Sequence, residues 1–476
     1  MNDFQNNFEY IQQQINQNKI DLVDLCKFYL NRIKNNLNYN IFIEVFEKQA
    51  LKKAKEIQIK INNNTAGNLA GLFIGLKDNI SYKGHKVSAS SKILQGYVSP
   101  YNSTVVERLL KQDAIIIGRL NCDEFAMGSS NENSFYGPSK NPINPTKVPG
   151  GSSGGSAAAV SMDLCTMSLG SDTGGSLRQP ASFCGVIGFK PTYGTVSRYG
   201  LLSYASSFDQ IGPISKNIKD IFKVMNYISG KDSKDSTTSK KNINYEKLKK
   251  KKKYKILFSQ DFLKYEHLDN EIKKRFLFFL EELKSKGHEI QNIKFKYLDY
   301  VLPVYYILTT AEASSNLSRY DGIRYGYRFA ESKDIKEVFV KSRSEGFGDE
   351  VKRRIMLGTF VLSQEYYEAY YTKAQKTRRM ILNEYNKTLK EADFLLTPTT
   401  PNVAFGLNEV QDPIKMKFQD IFTVTSNLVG APSISLPSFK NSNNMPFGLQ
   451  VMGKNFGDAD VLSFSDYLQN NYDFNS

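Results

Sequence analysis

Apolar residues recur along this chain at helical spacing in some stretches and in short unbroken runs in others. Within the first 60 residues they stand three or four positions apart, which predicts two or three amphipathic helices. The apolar positions of these helices are Leu22, Leu25, Cys26 and Leu30, followed by Ala50, Ala54 and Ile57. We therefore expect residues 1–60 to form a helical segment that packs on the core of the protein by one face.

Short apolar runs bounded by glycine or polar residues predict buried strands further along the chain. Residues 71–80 form such a run and end in a polar turn, and residues 114–118 form another after a helix at about 105–111. Small residues at 155–162 predict a helix after a Gly/Ser-rich turn, and residues 164–169 predict the next strand. Strands and helices that alternate in this way are typical of an α/β fold with a mostly parallel or mixed sheet.

A polar stretch at about 230–253 separates two α/β portions and ends in five consecutive lysines, 249–253. No aromatic residue or arginine is interleaved with these lysines, which favours a solvated surface linker over a nucleic-acid contact. Beyond the stretch, residues 254–259 predict a strand and residues 270–287 a helix. A chain of 476 residues could hold two or three average domains, but large α/β proteins often fold around one sheet. We expect one such domain at 61–476.

The composition limits the compartment and the classes of partner. The 63 Lys+Arg against 48 Asp+Glu give a net charge of +15, which would complement a nucleic acid or an acidic protein. Abundant Asn, Lys, Ile and Tyr indicate a general compositional drift as the main cause of this charge. Four scattered cysteines without a C-x-x-C pair disfavour a disulfide framework and a zinc site. With no signal peptide and no long apolar run, a cytoplasmic or organelle-interior location is expected.

Two glycine-flanked serines carry the strongest chemical signal in the sequence. Ser152 lies in Pro-Gly-Gly-Ser-Ser-Gly-Gly-Ser at 149–156, and Ser176 ends Gly-Ser-Asp-Thr-Gly-Gly-Ser at 170–176. Glycines allow sharp turns and leave backbone N–H groups uncovered, so these loops can hold a negatively charged oxygen. The residues between the serines suffice for a helix and a strand that return to the same sheet edge, where α/β sheets bind ligands. The pattern indicates acyl transfer by a serine.

The base for such a serine is not expected to be a histidine. The chain has only His85, His267 and His288, whose surroundings predict surface positions and disfavour a Ser-His-Asp triad. A lysine can replace imidazole if burial lowers its pKa from about 10.4 toward about 7–8. Lys77 is the candidate because it directly follows the apolar residues 72–76 and can reach a desolvated site from the end of a strand.

Four segments together resemble the amidase signature family, in which a Ser-cis-Ser-Lys triad cleaves amides. The segments are 77–79, 150–156, 170–179 and 188–192. The resemblance implies that Ser176 is the nucleophile, that Ser152 is a bridging serine in a cis peptide and that Lys77 is the base.

The resemblance also implies an oxyanion hole and a fold. The oxyanion hole would consist of the backbone N–H groups of Thr173, Gly174, Gly175 and Ser176. The amidase signature fold is a single α/β/α domain, with helices on both faces of a large mixed sheet that we expect to be mostly parallel.

Further segments, 121–130, 312–322 and 344–354, are similar to one branch of this family, the glutaminase subunits of tRNA-dependent amidotransferases. For this branch the resemblance implies glutamine as the substrate. Arg354 would bind its carboxylate and Asp420 would face its ammonium group, while Tyr305 would support the pocket. Helical phase does not separate Arg353 from Arg354 as the carboxylate ligand.

The same branch implies partners outside this chain. The enzyme is expected to be a heterotrimer with subunits B and C, in which ammonia passes through a channel to the first of these two partners. There, with ATP and Mg²⁺, Glu-tRNA(Gln) would be amidated, whereas this chain would need no metal or cofactor and no membrane. Two alternatives stay open: a stand-alone amidase that acts on a small amide, and a non-catalytic scaffold or RNA-binding protein suggested by the net charge.

Overall fold

The computed structural model describes residues 6–241, 243–245, 251–472 and 474. Within these residues eleven strands form one sheet. In chain order the strands are β1 (Phe42–Val45), β2 (Phe73–Lys77), β3 (Ile115–Leu120), β4 (Met167–Asp172), β5 (Ile187–Lys190), β6 (Gln210–Ser215), β7 (Lys255–Phe258), β8 (Glu289–Asn292), β9 (Phe394–Pro398), β10 (Ser433–Lys440) and β11 (Pro446–Met452).

Sixteen α-helices within the described residues surround this sheet. They are α1 (Phe8–Asn16), α2 (Leu22–Lys34), α3 (Glu47–Asn62), α4 (Thr104–Lys111), α5 (Gly154–Ser161), α6 (Arg178–Cys184), α7 (Ile218–Ile228), α8 (Gln260–Leu263), α9 (Asn270–Ser285), α10 (Leu298–Asn316), α11 (Ile335–Gly346), α12 (Asp349–Val361), α13 (Lys373–Thr388), α14 (Pro413–Lys417), α15 (Val424–Leu428) and α16 (Asp458–Asn471). None of them combines the length and the apolar character that a membrane span requires.

Both faces of the sheet are covered, as predicted. Successive side chains of a strand point to opposite faces, and β3 illustrates this alternation. Ile116 belongs to one buried apolar cluster, whereas Ile115 and Ile117 belong to another. The first cluster includes side chains of α4, α7, α9 and α10, and the second includes those of α1, α2, α3 and α5.

The strand order is β1-β3-β2-β4-β6-β5-β10-β11-β9-β7-β8. Four of the neighbouring pairs in the described sheet are parallel and six are antiparallel. The predicted mixed sheet is confirmed, but the expectation that it is mostly parallel is wrong. β10 and β11 are joined by the short connection 441–445, which only an antiparallel pair can use, and β5 and β6 oppose all their neighbours.

The predicted elements around the glycine-rich loops are present, with shifts at their ends. The strand expected at 71–80 is β2, and the helix expected at 155–162 is α5. The strand expected at 164–169 begins later, as β4. Just before this strand, the Thr166 N–H donates to the Phe73 carbonyl at 3.0 Å. The chain therefore already lies alongside β2 before the regular pairing of β4 begins.

The N-terminal segment is helical, but it also contributes a strand to the sheet. β1 lies between α2 and α3 and pairs antiparallel with β3 at one edge. α2 begins after Asp21, whose carboxylate accepts the Val23 N–H at 2.7 Å and the Asp24 N–H at 3.2 Å. A boundary at residue 60 between this segment and the domain at 61–476 stays a prediction.

The polar stretch at about 230–253 is only partly a free connection. Asp235 accepts a hydrogen bond from Arg198 Nη2 at 2.9 Å, and Ser239 N–H donates to the Gly194 carbonyl at 2.8 Å. These contacts fix the beginning of the stretch to the loop that follows β5. Residues 242 and 246–250, which include the first two lysines of the run 249–253, lie outside the described residues.

Candidate active site

Lys77 is the last residue of β2, and its side chain is completely buried. Its Nζ lies within hydrogen-bonding distance of three hydroxyls, at 2.6 Å from Ser152 Oγ, 2.9 Å from Ser153 Oγ and 3.0 Å from Ser171 Oγ. Because β2 and β4 are parallel neighbours, Lys77 and Ser171 reach the same end of the sheet. The amine is thus surrounded by alcohols.

Burial lowers the pKa of Lys77 to about 8, because loss of solvation disfavours the ammonium form. The nearby Cys122 and the carboxylates of Asp123 and Asp172 act in the opposite direction, since negative charge there favours the protonated amine. A pKa in this range leaves part of the amine neutral near pH 7 and able to accept a proton.

Ser152 lies in the turn before α5, and the Gly151–Ser152 peptide bond is cis. A side chain at Gly151 would collide with Asp123 Oδ2. Asp123 Oδ2 also accepts the Asn131 N–H at 2.9 Å, and the Asp123 N–H donates to the Ser152 carbonyl at 3.1 Å. The turn is therefore held against a buried carboxylate while the Ser152 hydroxyl contacts Lys77.

Ser176 lies in the turn between β4 and α6 and is 8% exposed. Its carbonyl accepts the Ser153 N–H at 3.2 Å, which joins this turn to the turn of Ser152. The turn has no room for side chains: a Cβ at Gly174 would lie 2.5 Å from Tyr305 Oη, and Gly175 has a φ of 137°. The structure thus brings Lys77 and Ser152 into contact, with Ser176 in the adjacent turn.

The N–H groups predicted to form the oxyanion hole differ in whether they already have a hydrogen-bond acceptor. The Gly175 N–H donates to Asp172 Oδ1 at 2.8 Å and so holds the shape of the turn. Within the described chain, the N–H groups of Thr173, Gly174 and Ser176 have no protein acceptor. These three groups are therefore free of protein acceptors, whereas the Gly175 N–H is already engaged.

Arg178, at the start of α6, fixes the same turn from below and is completely buried. Its Nε and Nη2 each lie 3.0 Å from an Asp172 carboxylate oxygen. Burial alone would raise the pKa of Asp172, but the Arg178 charge holds it down to about 2. Arg178 also donates to the Thr423 carbonyl at 2.8 Å, to Gln450 Oε1 at 2.6 Å and to Asn427 Oδ1 at 2.7 Å.

A cavity of about 340 Å³ adjoins the turn of Ser152. Its lining includes Ser129 and Ser130, and a Cβ at Gly151 would lie 2.6 Å from the Ser130 nitrogen. The Ser129 carbonyl accepts a hydrogen bond from Gln179 Nε2 at 2.6 Å, which connects this wall to α6. The volume falls within the range of small-molecule sites. We call this space the first cavity.

The structure separates the two arginines that the sequence left equivalent. Both line the first cavity, but Arg354 is 7% exposed, whereas the Arg353 side chain is 41% exposed. Arg354 Nε donates to Glu350 Oε1 at 2.7 Å, and its Nη1 donates to Tyr204 Oη at 2.8 Å. Nη2 has no protein partner within the described residues, so a buried guanidinium retains donors for a ligand.

Asp420 is buried beside the same cavity, where it accepts hydrogen bonds from two residues that line the cavity. Ser129 Oγ lies 2.9 Å from Asp420 Oδ2, and Tyr306 Oη donates to Oδ2 at 3.2 Å. Burial raises the pKa of Asp420 to about 7, while the hydrogen bond from Ser129 and the charge of Arg354 limit the rise. A cation next to Asp420 would restore its charge.

Tyr305 contacts the turn of Ser176 rather than the first cavity. Its hydroxyl packs on Gly174, and its ring meets Phe208 edge to face with centroids 5.9 Å apart. The cavity residue next to it in sequence is Tyr306, which the sequence analysis missed, as it missed a role for Ser129. Ser129 lies within the segment 121–130 and Tyr306 lies shortly before the segment 312–322, and these positions are their only sequence signal.

The histidines lie outside this arrangement. His85 stacks between Phe46 and Tyr82, with ring centroids at 3.9 and 4.4 Å. The predicted surface position of His288 is wrong, because this residue is 3% exposed and pairs through Nε2 with Tyr467 Oη at 3.0 Å. Among the described residues no group of three or more His, Cys, Asp or Glu side chains could hold a metal ion.

A family model described as Amidase matches residues 24–462 of the chain. The chain belongs to the amidase family of enzymes. This amidase-family chain is 48% identical to the A subunit of glutamyl-tRNA(Gln) amidotransferase from Chlorobium phaeobacteroides (strain BS1), over 93% of this chain and 94% of that protein. It is 45% identical to the protein of the same name from Thermoanaerobacter pseudethanolicus, over 98% and 96%.

Solved structures agree with this membership and with the predicted amidase signature fold. The crystal structure of the A subunit of glutamyl-tRNA(Gln) amidotransferase from Thermotoga maritima is 38% identical and superposes with a TM-score of 0.80. That comparison covers 97% of this chain and 94% of the other. A crystal structure described as an amidase is 28% identical with a TM-score of 0.83, over 98% and 99%.

Proposed function

We propose that this chain is the glutaminase component, the A subunit, of a glutamyl-tRNA(Gln) amidotransferase. The observation that carries the proposal is the buried Lys77 amine, 2.6 Å from the Ser152 hydroxyl and with a pKa of about 8. Similarity over nearly the full length to proteins of that name supports this function over a stand-alone amidase acting on a small amide.

In the proposed reaction Ser176 Oγ attacks the side-chain amide carbon of glutamine. Its proton passes to Ser152 Oγ while the Ser152 proton passes to the neutral Lys77 amine. The C–N bond then breaks, the nitrogen takes the proton back through the same relay, and ammonia leaves behind an acyl ester on Ser176. Water, activated by the same relay, hydrolyses this ester and releases glutamate.

The proposed binding of glutamine uses the first cavity. Arg354 would hold the α-carboxylate through a charge-assisted hydrogen bond, and Asp420 would face the α-ammonium group. Tyr305 would support the site by holding the turn at Gly174. The N–H groups at 173–176 would stabilise the oxyanion, with Gly175 acting chiefly through its hydrogen bond to Asp172.

The remaining assignments concern the assembly. We propose a cytoplasmic heterotrimer with subunits B and C, in which domain 61–476 of this chain performs the glutaminase reaction. Ammonia would pass to the B subunit, where ATP and Mg²⁺ activate Glu-tRNA(Gln). This chain itself would bind neither the nucleotide nor the metal.

An assay of ammonia release tests the proposal. The chain, assembled with subunits B and C, should release ammonia from glutamine and form Gln-tRNA(Gln). Ser176→Ala should abolish glutamine use but leave amidation from added ammonium chloride intact, because the B subunit would perform that step. Release from unrelated small amides but not from glutamine would instead favour the stand-alone amidase.

A pair of arginine variants tests the substrate contacts. Arg354→Gln should raise the KM for glutamine about 10- to 100-fold, because the substrate carboxylate loses a buried charged partner. Arg353→Gln, at the exposed neighbouring position, should change KM no more than about twofold. Equal effects of the two substitutions would contradict the assignment of the carboxylate to Arg354.

A further inference from the structure

A second cavity, of about 450 Å³, shares α10 with the first cavity but no lining residue. Tyr306 on α10 lines the first cavity, whereas Leu308 and Glu312, further along the same helix, line the second. The proposed glutaminase reaction uses no residue of this second cavity. Its volume is sufficient for an amino acid.

Two arginines of α13 give this cavity an excess of positive charge. Arg378 donates through Nε to the Leu428 carbonyl at 2.9 Å and through Nη2 to the Ser207 carbonyl at 3.1 Å. Its guanidinium lies 4.0 Å from the centre of the Phe208 ring. Neither Arg378 nor Arg379 makes an ion pair with a carboxylate anywhere in the described chain. Among the described residues the hydrogen-bond partners of Arg378 are carbonyls, and Glu312 acts on it by its charge without a direct ion pair. A largely buried cation without a directly paired anion is favourable to an anionic ligand.

Among the described residues, Glu312 is the carboxylate that lines the same cavity. Glu312 accepts the Ser207 N–H at 2.9 Å through Oε2. Leu308 and Leu382 provide apolar wall between the charged groups. Two cations, one anion and an apolar wall match a small zwitterion that has two carboxylates, one ammonium group and an aliphatic stem.

Side-chain contacts also connect the second cavity to the turn of Ser176. Arg378 stacks on Phe208, Phe208 meets Tyr305 edge to face, and Tyr305 Oη packs on Gly174. A ligand that draws the Arg378 guanidinium away from Phe208 would therefore act on the side chains that pack behind the turn of Ser176.

We propose that the second cavity is a product-sensing site that binds L-glutamate. Arg378 and Arg379 take its carboxylates and Glu312 takes its ammonium group. The choice of glutamate over other acidic amino acids rests on the proposed function, because glutamate is the product of glutamine hydrolysis. Occupancy slows the glutaminase reaction through Phe208 and Tyr305.

Calorimetric titration of L-glutamate into the full chain tests binding without any turnover. Arg354→Gln removes the carboxylate ligand of the first cavity, so binding that persists in this variant comes from elsewhere. In that background Arg379→Gln, at an exposed position without an ion pair among the described residues, should weaken binding at least tenfold. Lys387→Gln, an equal change of charge on α13 outside the cavity lining, should have no effect.

A second probe tests the zwitterion. Glutarate has both carboxylates of glutamate but lacks the ammonium group. Glu312→Gln should weaken glutamate binding about tenfold and leave glutarate binding unchanged or tighter. In steady-state assays, L-glutamate should lower kcat for glutamine in the wild-type protein, and Arg379→Gln should remove this effect.

Three outcomes would overturn the proposal: loss of all glutamate binding in Arg354→Gln alone, no change in Arg379→Gln, or inhibition by glutamate that is purely competitive with glutamine. Because calorimetry requires no amidase activity, a failure of the proposed glutaminase function would be seen separately, as absent ammonia release with glutamate binding intact.

Discussion

Lys77 and Lys190 occupy closely comparable positions in two regions of the sheet. Lys77 is the last residue of β2, Lys190 is the last residue of β5, and both side chains are fully buried. Burial lowers the pKa of Lys77 to about 8 and that of Lys190 to about 7. By position, burial and acidity the two amines are nearly equivalent.

Their partners differ. Lys77 contacts three hydroxyls, including Ser152 at 2.6 Å, whereas Lys190 Nζ donates to the carbonyls of Pro191 at 3.1 Å and Ala431 at 2.5 Å. A hydroxyl can give up a proton and pass on another, but a carbonyl has none to give. Burial and a lowered pKa therefore do not identify a base. The chemistry of the groups around the amine does.

The largest effect should come from removing the two amines in turn. Lys77→Met should lower kcat for ammonia release from glutamine by about 10³-fold or more, because the relay loses its proton acceptor. Lys190→Met should lower it less than about tenfold, since that amine contacts only carbonyls. If Lys190→Met lost as much activity as Lys77→Met, the distinction between the two regions would be wrong.

Removing different hydroxyls around Lys77 should reduce activity by different amounts. Ser152→Ala should reduce glutamine-dependent kcat by about 10²- to 10³-fold, because the proposed relay from Ser176 passes through it. Ser171→Ala removes a hydroxyl at a similar distance from Nζ but outside the relay, and should cost about tenfold or less. Comparable losses would indicate that Ser171 also transfers protons.

The pH dependence of glutamine hydrolysis should reflect the titration of Lys77 and not that of Lys190. In the proposed relay the neutral amine is the active form, so kcat at saturating glutamine, where the bound ammonium group keeps Asp420 charged, should fall about tenfold per pH unit below pH 8 and level off above it. Lys190→Met should leave the midpoint of this profile in place. A midpoint that moved in Lys190→Met would assign the titration to Lys190 instead.

The smallest effect concerns stability. The pKa of Lys190 rises from about 7 in the folded protein to its ordinary value of 10.5 on unfolding. Between these values the unfolded chain binds a proton that folding must release, so burial of Lys190 costs stability, and this cost is greatest at and below pH 7 and disappears as pH rises toward 10.5. The free energy of unfolding should increase with pH more steeply in the wild type than in Lys190→Met, by on the order of 1 kcal/mol per pH unit. Urea denaturation at pH 7, 8.5 and 10 would measure it, and parallel curves would contradict it.

The features of the site that follow from local chemistry could be predicted from the sequence. Glycine runs mark turns that exclude side chains, and a lysine directly after an apolar strand marks a buried strand end. For this reason the buried position of Lys77 and the tight turns that contain Ser152 and residues 170–176 could be predicted. The α/β layering could likewise be predicted from the spacing of hydrophobic residues.

Contacts between distant segments could not be predicted. Tyr306 differs from Tyr305 by 100° of helical rotation, which only the packing of α10 decides. The antiparallel directions of β5 and β6 depend on how their connections cross the sheet, and the sequence pattern of a buried strand is the same in either direction. The hydroxyl of Ser171 approaches Lys77 only through the pairing of β2 with β4.

The contacts of Arg178 make the turn of Ser176 depend on segments that are synthesised late. Its guanidinium joins Asp172, beneath the turn of Ser176, to acceptors at Thr423, Asn427 and Gln450, which lie late in the chain. During synthesis the turn has no such anchor until the ribosome has released residues up to about 450. A nascent or truncated polypeptide that ends before these acceptors already contains Lys77, Ser152 and Ser176, yet it lacks three of the contacts that hold Arg178 under their loops, and we expect it to hydrolyse glutamine poorly.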